Sequence, residues 1–290
     1  MTENITMFET ERSRLFALSY RMLGERAAAE DVVQEVWLRF SAANTSELDN
    51  PAAWLRRVAT NIAIDALRSA RARRESYVGP WLPEPLISET QAPADHAFEL
   101  AQECELALLW AMERLAPTER AAFVLREAFD ADYADIAVTL GRSEVACRQM
   151  VSRAHKRLQS SGPRFDVPRA EAAAALERFF FAAAHDHDTA LRLLAEDAIA
   201  ISDGGAKVRA ARRPLYGPAE IMQVLSAVMQ KERNVPNISF EMIQANGTPA
   251  IARFKDGVLE TLTLVVPNLA GQVHWIYIMR NPDKLANSNA

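Results

Sequence analysis

Cysteine is almost missing from this 290-residue chain, with Cys104 and Cys147 its only two. They cannot form the framework of a disulfide scaffold, and no Cys/His spacing suits a structural zinc site. A reducing cytoplasm, with no metal and no cofactor, is therefore the expectation. The N-terminus, MTENITMFETERSRLF, lacks a basic stretch followed by an apolar core, so it does not read as a secretory signal. No apolar run approaches the roughly 18–20 residues that cross a bilayer. The longest suggestive stretch, Phe179 to Ala184, is short and follows a charged helical turn, so no membrane partner is expected.

Basic residues are missing from one long segment. Glu75 to Glu113 holds eight acidic residues and no Lys or Arg. On either side the balance reverses. Trp54 to Arg74 carries six Arg against one Asp, and Arg142 to Arg157 carries five Lys or Arg against one Glu. The formal net charge of -5 thus averages two basic helices and an acidic connection.

Helical periodicity dominates the first two thirds. Val33, Val36, Trp37 and Phe40 form one apolar stripe, and Asn50-Pro51 starts a long helix in which Trp54, Val58, Ile62 and Leu67 read as core positions. A proline-rich stretch of about 76–97 reads as a linker, and helical pattern then resumes to about 162. Composition changes from Val167. Two helices, Arg169 to Ala184 and Asp188 to Ala195, precede a short strand at Ala198–Ser202. A further helix follows Gly217-Pro218, and four β segments after Pro236 are separated by Asn-Gly, Asp-Gly and Pro-Asn turns. The C-terminal third is α+β, and 167–290 reads as a separate domain.

Asp132 to Leu158 reads as a helix-turn-helix. Ile136, Ala137 and Leu140 form an apolar face, Gly141 permits the turn, and Ser143 caps the second helix. In that helix Cys147, Val151, Ala154 and Leu158 recur at inward spacing. Opposite lie Arg148, Gln149, Ser152, Arg153 and Lys156, donors suited to base edges and phosphates in a major groove. A merely solvated basic face is the competing reading.

Two stretches ahead of this motif, AEDVVQEVWLRF and NPAAWLRRVATNIAIDALRSARARR, resemble the sigma-70 family, in particular the small extracytoplasmic-function sigma factors. The resemblance implies two all-α domains, 1–75 and 98–162, in a protein that brings bacterial core RNA polymerase to promoters and aids DNA melting. It assigns polymerase docking to Asp31, Gln34, Glu35, Trp37 and Leu38, although a solvated acidic face would explain that segment taken alone. It assigns the -10 element to the helix bearing Arg56, Arg57, Thr60, Asn61 and Arg68, and the -35 element to the helix-turn-helix. Asp65 fits a pairing with a nearby Arg. Arg71, Arg73 and Arg74 fit a phosphate contact and a solvated face about equally. The acidic linker suits a positively charged channel that normally holds RNA, and a plain flexible linker explains it almost as well.

A narrower resemblance joins WLPEP (with Trp81 and Pro83), DGGAK (Asp203, Gly204, Gly205, Ala206, Lys207) and NPDKL (Asn281, Pro282, Asp283, Lys284, Leu285). Together they resemble the SigJ-type sigma factors with a SnoaL-like C-terminal extension, where Ala206 replaces a usual glycine. This implies a cone-shaped α+β domain that contacts the helical domains and regulates them, with a small-molecule ligand left open. An enzyme would need a poised acid or base, for which Asp203, Lys207, Tyr216, His274 and Trp275 are the candidates. No catalytic constellation is evident by spacing, so no enzyme activity is expected. His185-Asp186-His187-Asp188 reads as helix capping. The alternative for the whole chain is a helix-turn-helix regulator with a ligand-binding or isomerase-like C-terminal domain.

Overall fold

A computed structural model describes residues 2–87, 101, 104–161, 163 and 167–286. The described residues of Met1–Glu75, Gln91–Cys104 and Leu109–Gly162 belong to one compact unit, and those of Ser76–Thr90, Glu105–Leu108 and Pro163–Ala290 belong to a second. The later part of the expected linker, residues 88–97, and Gly162 at the expected end of the second helical domain lie outside the described residues. The earlier part of that linker, through Ile87, belongs to the second unit.

The first unit is helical. Helix α1 (Thr2–Leu23), α2 (Arg26–Ala42) and α3 (Pro51–Arg74) are followed by α4 (Leu106–Met112), which belongs to this unit from Leu109 onward, and by α5 (Pro117–Phe129), α6 (Tyr133–Leu140) and α7 (Glu144–Ser161). Helix α3 starts as its sequence dictates. The Asn50 side chain accepts from the Ala53 N–H at 3.0 Å, and Pro51 occupies the first turn. Three arginines in its last turn complement the helix dipole.

Leu15, Leu18, Met22, Val36, Phe40, Leu55 and Leu67 are buried among α1, α2 and α3. Each large side chain of this kind contributes roughly 1.5–3 kcal/mol on burial. The inward face of α3 differs from the expected one. Trp54, Val58 and Ile62 are only half-buried, whereas Leu55, Ala59, Ala63, Ile64, Leu67 and Ala70 are buried. Small residues at Ala59, Ala63 and Ala70 let neighbouring helices approach closely, which pushes the bulkier side chains to the flank.

The helix-turn-helix forms as expected. Asp132 caps α6 by accepting from Asp135 N–H at 2.7 Å, and Gly141 takes the left-handed conformation, with φ +61°, that ends it. Ser143 Oγ accepts from Ala146 N–H at 3.2 Å to start α7. Cys147, Val151, Ala154 and Leu158 are all buried, and Ile136 is buried opposite them.

In the second unit α8 (Arg169–His185) and α9 (His187–Leu193) lead into β1 (Leu194–Asp203) and β2 (Leu215–Tyr216). They are followed by α10 (Gly217–Glu232), β3 (Ile238–Ala245), β4 (Thr248–Lys255), β5 (Val258–Pro267), β6 (Val273–Met279) and α11 (Pro282–Ala286). The six strands run in the order β2-β1-β6-β5-β4-β3. The β1–β6 pair is parallel and the other pairs are antiparallel. Asn246-Gly247 and Asp256-Gly257 make the two tight turns, all four residues having positive φ. Leu176 and Phe179 of α8 and Ile221 and Met222 of α10 pack with Val265 and Ile276 of the sheet.

Two boundaries differ from expectation. The helix expected to reach Ala195 ends at Leu193, so β1 is longer, and the two-residue β2 carries too little pattern to be read. Asp186 caps α9 by accepting from Thr189 N–H at 3.1 Å, as the capping reading expects.

Candidate nucleic-acid interface and a buried clasp on Asp203

Helix α7 exposes Arg148, Gln149, Ser152, Arg153 and Lys156 together, so periodicity placed this face correctly. The five are not equally available. Arg148 pairs with Glu144 at 2.9 Å and lies 4.9 Å over the Tyr133 ring. Arg153 pairs with Glu119 at 3.1 Å, and Arg157, which sequence reasoning did not single out, pairs with the same carboxylate at 2.5 Å. Glu119 is a buried residue near the start of α5, and its carboxylate also accepts from the Ala116 N–H at 3.3 Å. Gln149, Ser152 and Lys156 remain outward donors.

On α3, Arg57, Asn61 and Arg68 are exposed and Arg56 is half-buried. Arg68 pairs with Asp65 at 2.9 Å, the pairing expected of Asp65. Thr60 departs from its expected role. It is fully buried, and its Oγ1 donates to the Arg56 carbonyl at 2.8 Å, because it lies on the same face as Ala63 and Leu67. Arg56 and Arg57 also line a groove of about 400 Å³ with Asp135 and Thr139 of α6.

On α2, Asp31, Gln34 and Leu38 point outward, Leu38 with 60% of its surface exposed. Glu35 is half-buried and pairs with Arg39 at 2.8 Å. Trp37 is half-buried, its ring 5.0 Å from that of Phe8. Residues 31, 34, 35 and 38 share one helical face.

The alternatives left open for the end of α3 are resolved by its partners. Arg71 donates to the carbonyls of Glu113, at 2.9 Å, and of Leu115. Arg74 binds the Glu113 carboxylate, the Leu23 carbonyl at 2.8 Å and Glu25 at 3.1 Å. Arg120 is fully buried, donating to Glu113 and to the Arg21 carbonyl at 3.0 Å. Burial pushes the Glu113 carboxyl up, but Arg120 and Arg74 outweigh it and hold the group below the usual carboxylate range. Arg71 and Arg74 are therefore structural, and Arg73 alone of the three is exposed.

The second unit contains a buried polar clasp. Asp203, at the end of β1, has no exposed surface. One carboxylate oxygen accepts from the Tyr77 hydroxyl and from the Gly205 N–H at 3.1 Å. The other accepts from the Leu82 N–H at 2.9 Å and from Lys284 Nζ at 2.7 Å. Lys284 also donates to the Leu82 carbonyl and sits 4.2 Å over the Trp81 ring. Asn281 Nδ2 donates to the Tyr77 hydroxyl at 2.9 Å, and Asn281 Oδ1 accepts from the Asp283 N–H at the start of α11. Burial, and then the bond to Asp203, raise the Tyr77 phenol above its ordinary pKa.

Glycine is required at two points of this clasp. A Cβ on Gly204 would lie 2.5 Å from the Val208 carbonyl oxygen, and one on Gly205 would lie 2.4 Å from Asn281 Nδ2. Ala206 occupies the left-handed region with φ +60°, so the turn closes without the third glycine. Lys207 and Asp283 pair at 2.6 Å on the surface, and Pro83 and Leu285 are buried. The three sequence motifs thus meet at one carboxylate. Tyr77 and Asn246 were missed by sequence reasoning. Asn246 accepts from the Leu86 N–H and donates its own N–H to the Leu86 carbonyl, both at 2.9 Å. The Asn-Gly signal marked a hairpin turn and carried no hint of this second use.

The residues considered for catalysis stand in separate settings. Asp203 is committed to the clasp, His274 lies 3.4 Å from Asp197, Tyr216 is 59% exposed, and Trp275 stacks with Tyr277. Among the described residues no cluster of three His, Cys, Asp or Glu could hold a metal ion, and no helix is long and apolar enough to cross a membrane.

Residues 7–73 match the sigma-70 region 2 family, and residues 105–158 match the sigma-70 region 4 family. The ECF RNA polymerase sigma factor SigJ of Mycobacterium tuberculosis is 33% identical over 299 residues, covering 98% of this chain and 94% of that protein. A probable ECF RNA polymerase sigma factor, SigI, from the same organism is 34% identical over 190 residues, covering 64% of this chain and 65% of that protein. The crystal structure of SigJ is similar to this one with a TM-score of 0.76 at 29% identity, covering 98% of this chain and 99% of that chain.

Proposed function

The chain belongs to the extracytoplasmic-function group of the sigma-70 family, and we infer that its C-terminal unit regulates promoter use through the clasp on Asp203. As a sigma factor it binds core RNA polymerase and promoter DNA to direct initiation, while the polymerase carries out the bond-forming chemistry. Outward-facing Asp31, Gln34 and Leu38, with Glu35 and Trp37 beside them, are the residues we assign to polymerase docking. Arg56, Arg57, Asn61 and Arg68 are assigned to the -10 element. Capture of unstacked bases on this helix favours melting without ATP, since binding only the open form shifts the equilibrium. Gln149, Ser152 and Lys156, with Arg148 and Arg153, are assigned to the -35 element.

One observation carries the regulatory reading. Tyr77 and Leu82, from the stretch that follows the first helical domain, are bonded to the same buried carboxylate as Lys284 near the C-terminus. Any change in the sheet domain that moves Asp203 also moves the start of the connection between the two DNA-reading domains. A fused domain used in this way makes a separate inhibitory partner less necessary.

The test is in vitro transcription with bacterial core polymerase and a promoter fragment from upstream of the gene. Full-length protein, the chain ended at Gly162 and full-length Lys284→Met are compared. Specific initiation by full-length protein is expected, and Lys284→Met is expected to change its level in the same direction as truncation. Equal initiation by all three forms would remove the regulatory role and leave the sigma activity standing.

A further inference from the structure

The loop that leaves Asp203, residues 204–214, carries Lys207, Arg209, Arg212 and Arg213 and no acidic residue. This concentration of positive charge occurs in a chain whose net charge is -5. Two of the cations already have carboxylate partners, Lys207 with Asp283 and Arg213 with Glu220. Arg209 and Arg212 are exposed, and neither guanidinium has a bonded partner among the described residues.

The loop is held from behind. Lys207 N–H and Val208 N–H both donate to the Gly204 carbonyl, at 3.1 and 3.2 Å. Arg280 N–H donates to the Asp203 carbonyl at 2.7 Å, and the Arg280 guanidinium donates to the Arg209 carbonyl at 2.6 Å. Between the cations, Ala206, Ala210 and Ala211, with Val78 and Val208, line a groove of about 660 Å³. A solvated charge run needs none of this support. Fixing the backbone at Arg209 lowers the ordering cost of binding a polyanion there, and small intervening residues let a phosphate chain approach.

We propose that this loop contacts the sugar-phosphate backbone of promoter DNA, with Arg209 and Arg212 adding affinity that is independent of base sequence. The inference rests on the sigma reading, since that activity brings a DNA duplex to the protein. Phosphate contacts of this kind position a protein and leave specificity to the helices that read bases.

The test is the salt dependence of promoter binding by holoenzyme assembled with full-length protein. Each phosphate contact contributes about 0.9 to the slope of log K against log salt concentration. Arg209→Gln/Arg212→Gln is expected to reduce the slope by about 1.8 and to weaken binding about tenfold or more at low salt. The loss should be the same on promoters with intact or altered -35 elements. The control is Lys231→Gln/Arg233→Gln, which makes the same change in net charge. Those residues lie at the far end of α10, whose 16 residues place its two ends roughly 24 Å apart, and this variant should retain the slope. An unchanged slope in the loop variant, or an equal fall in both variants, overturns the proposal. So does weakened binding to core polymerase with DNA affinity intact, which would assign the loop to the enzyme. Initiation by wild-type holoenzyme in the same preparation separates these outcomes from failure of the sigma reading.

Discussion

Lys284 Nζ lies 2.7 Å from the carboxylate of Asp203, across 81 positions of sequence, with both residues buried. Neither charge is left to the interior alone. Asp203 also accepts from two backbone N–H groups and a phenol, and Lys284 also meets the Leu82 carbonyl and the Trp81 ring. A buried pair satisfied in this way adds less stability than its contacts suggest, yet loss of one member strands the other.

The asymmetry gives the first prediction. Lys284→Ala should lower unfolding free energy by about 3–5 kcal/mol, because Asp203 is left buried without its cation. Asp203→Asn/Lys284→Met, which removes both charges, should recover most of that loss. Urea unfolding of wild type and the two variants makes the comparison. A double variant as unstable as Lys284→Ala would show that packing, not charge, dominates the clasp.

A second prediction concerns backbone strain. Ala206 holds φ +60°, a conformation that costs an L-residue roughly 1–2 kcal/mol. Ala206→Gly removes that cost but adds backbone entropy to the unfolded chain, roughly 0.4–1 kcal/mol. A net gain of roughly 0–1.6 kcal/mol is expected in thermal or urea unfolding. Gly205→Ala should act oppositely and more strongly, since its Cβ would collide with Asn281.

Acid should loosen the helical unit through Glu113. Its folded pKa is depressed, so it contributes stability above the unfolded value, about 4.3 for a Glu. That contribution is lost as pH falls from there through the lower folded value. Glu113→Gln should be less stable than wild type at neutral pH, and the gap should narrow as pH falls through this window. Urea midpoints from pH 7 to 3 measure it. A gap independent of pH would mean that ionisation of Glu113 does not contribute.

On the recognition helix, two exposed donors should separate by effect. Gln149→Ala should cost roughly 1–3 kcal/mol on the preferred -35 sequence and relax the preference at one base. Lys156→Ala should weaken binding to all sequences alike and reduce the salt slope by about 1. Arg153→Ala should also lower unfolding stability, because it pairs with Glu119. Binding measured across a set of single-base promoter variants distinguishes the three.

Much of this protein follows from local pattern. Gly141, Ser143 and the spacing of Cys147, Val151, Ala154 and Leu158 determine a helix-turn-helix and its outward face, because a 3.6-residue period orients every side chain once the helix starts. Asn50-Pro51 determines the start of α3, and Asn246-Gly247 and Asp256-Gly257 determine two hairpins. Only the tertiary structure decided which face of α3 turns inward, moving Thr60 from a DNA-facing position to the core. It also decided that Arg71 and Arg74 serve Glu113 and nearby carbonyls instead of phosphates, and that WLPEP, DGGAK and NPDKL converge on Asp203. The reason is physical. Helical period and turn chemistry depend on neighbours within a few residues, whereas the partner of a buried charge depends on which distant segments the packed core brings within hydrogen-bonding distance.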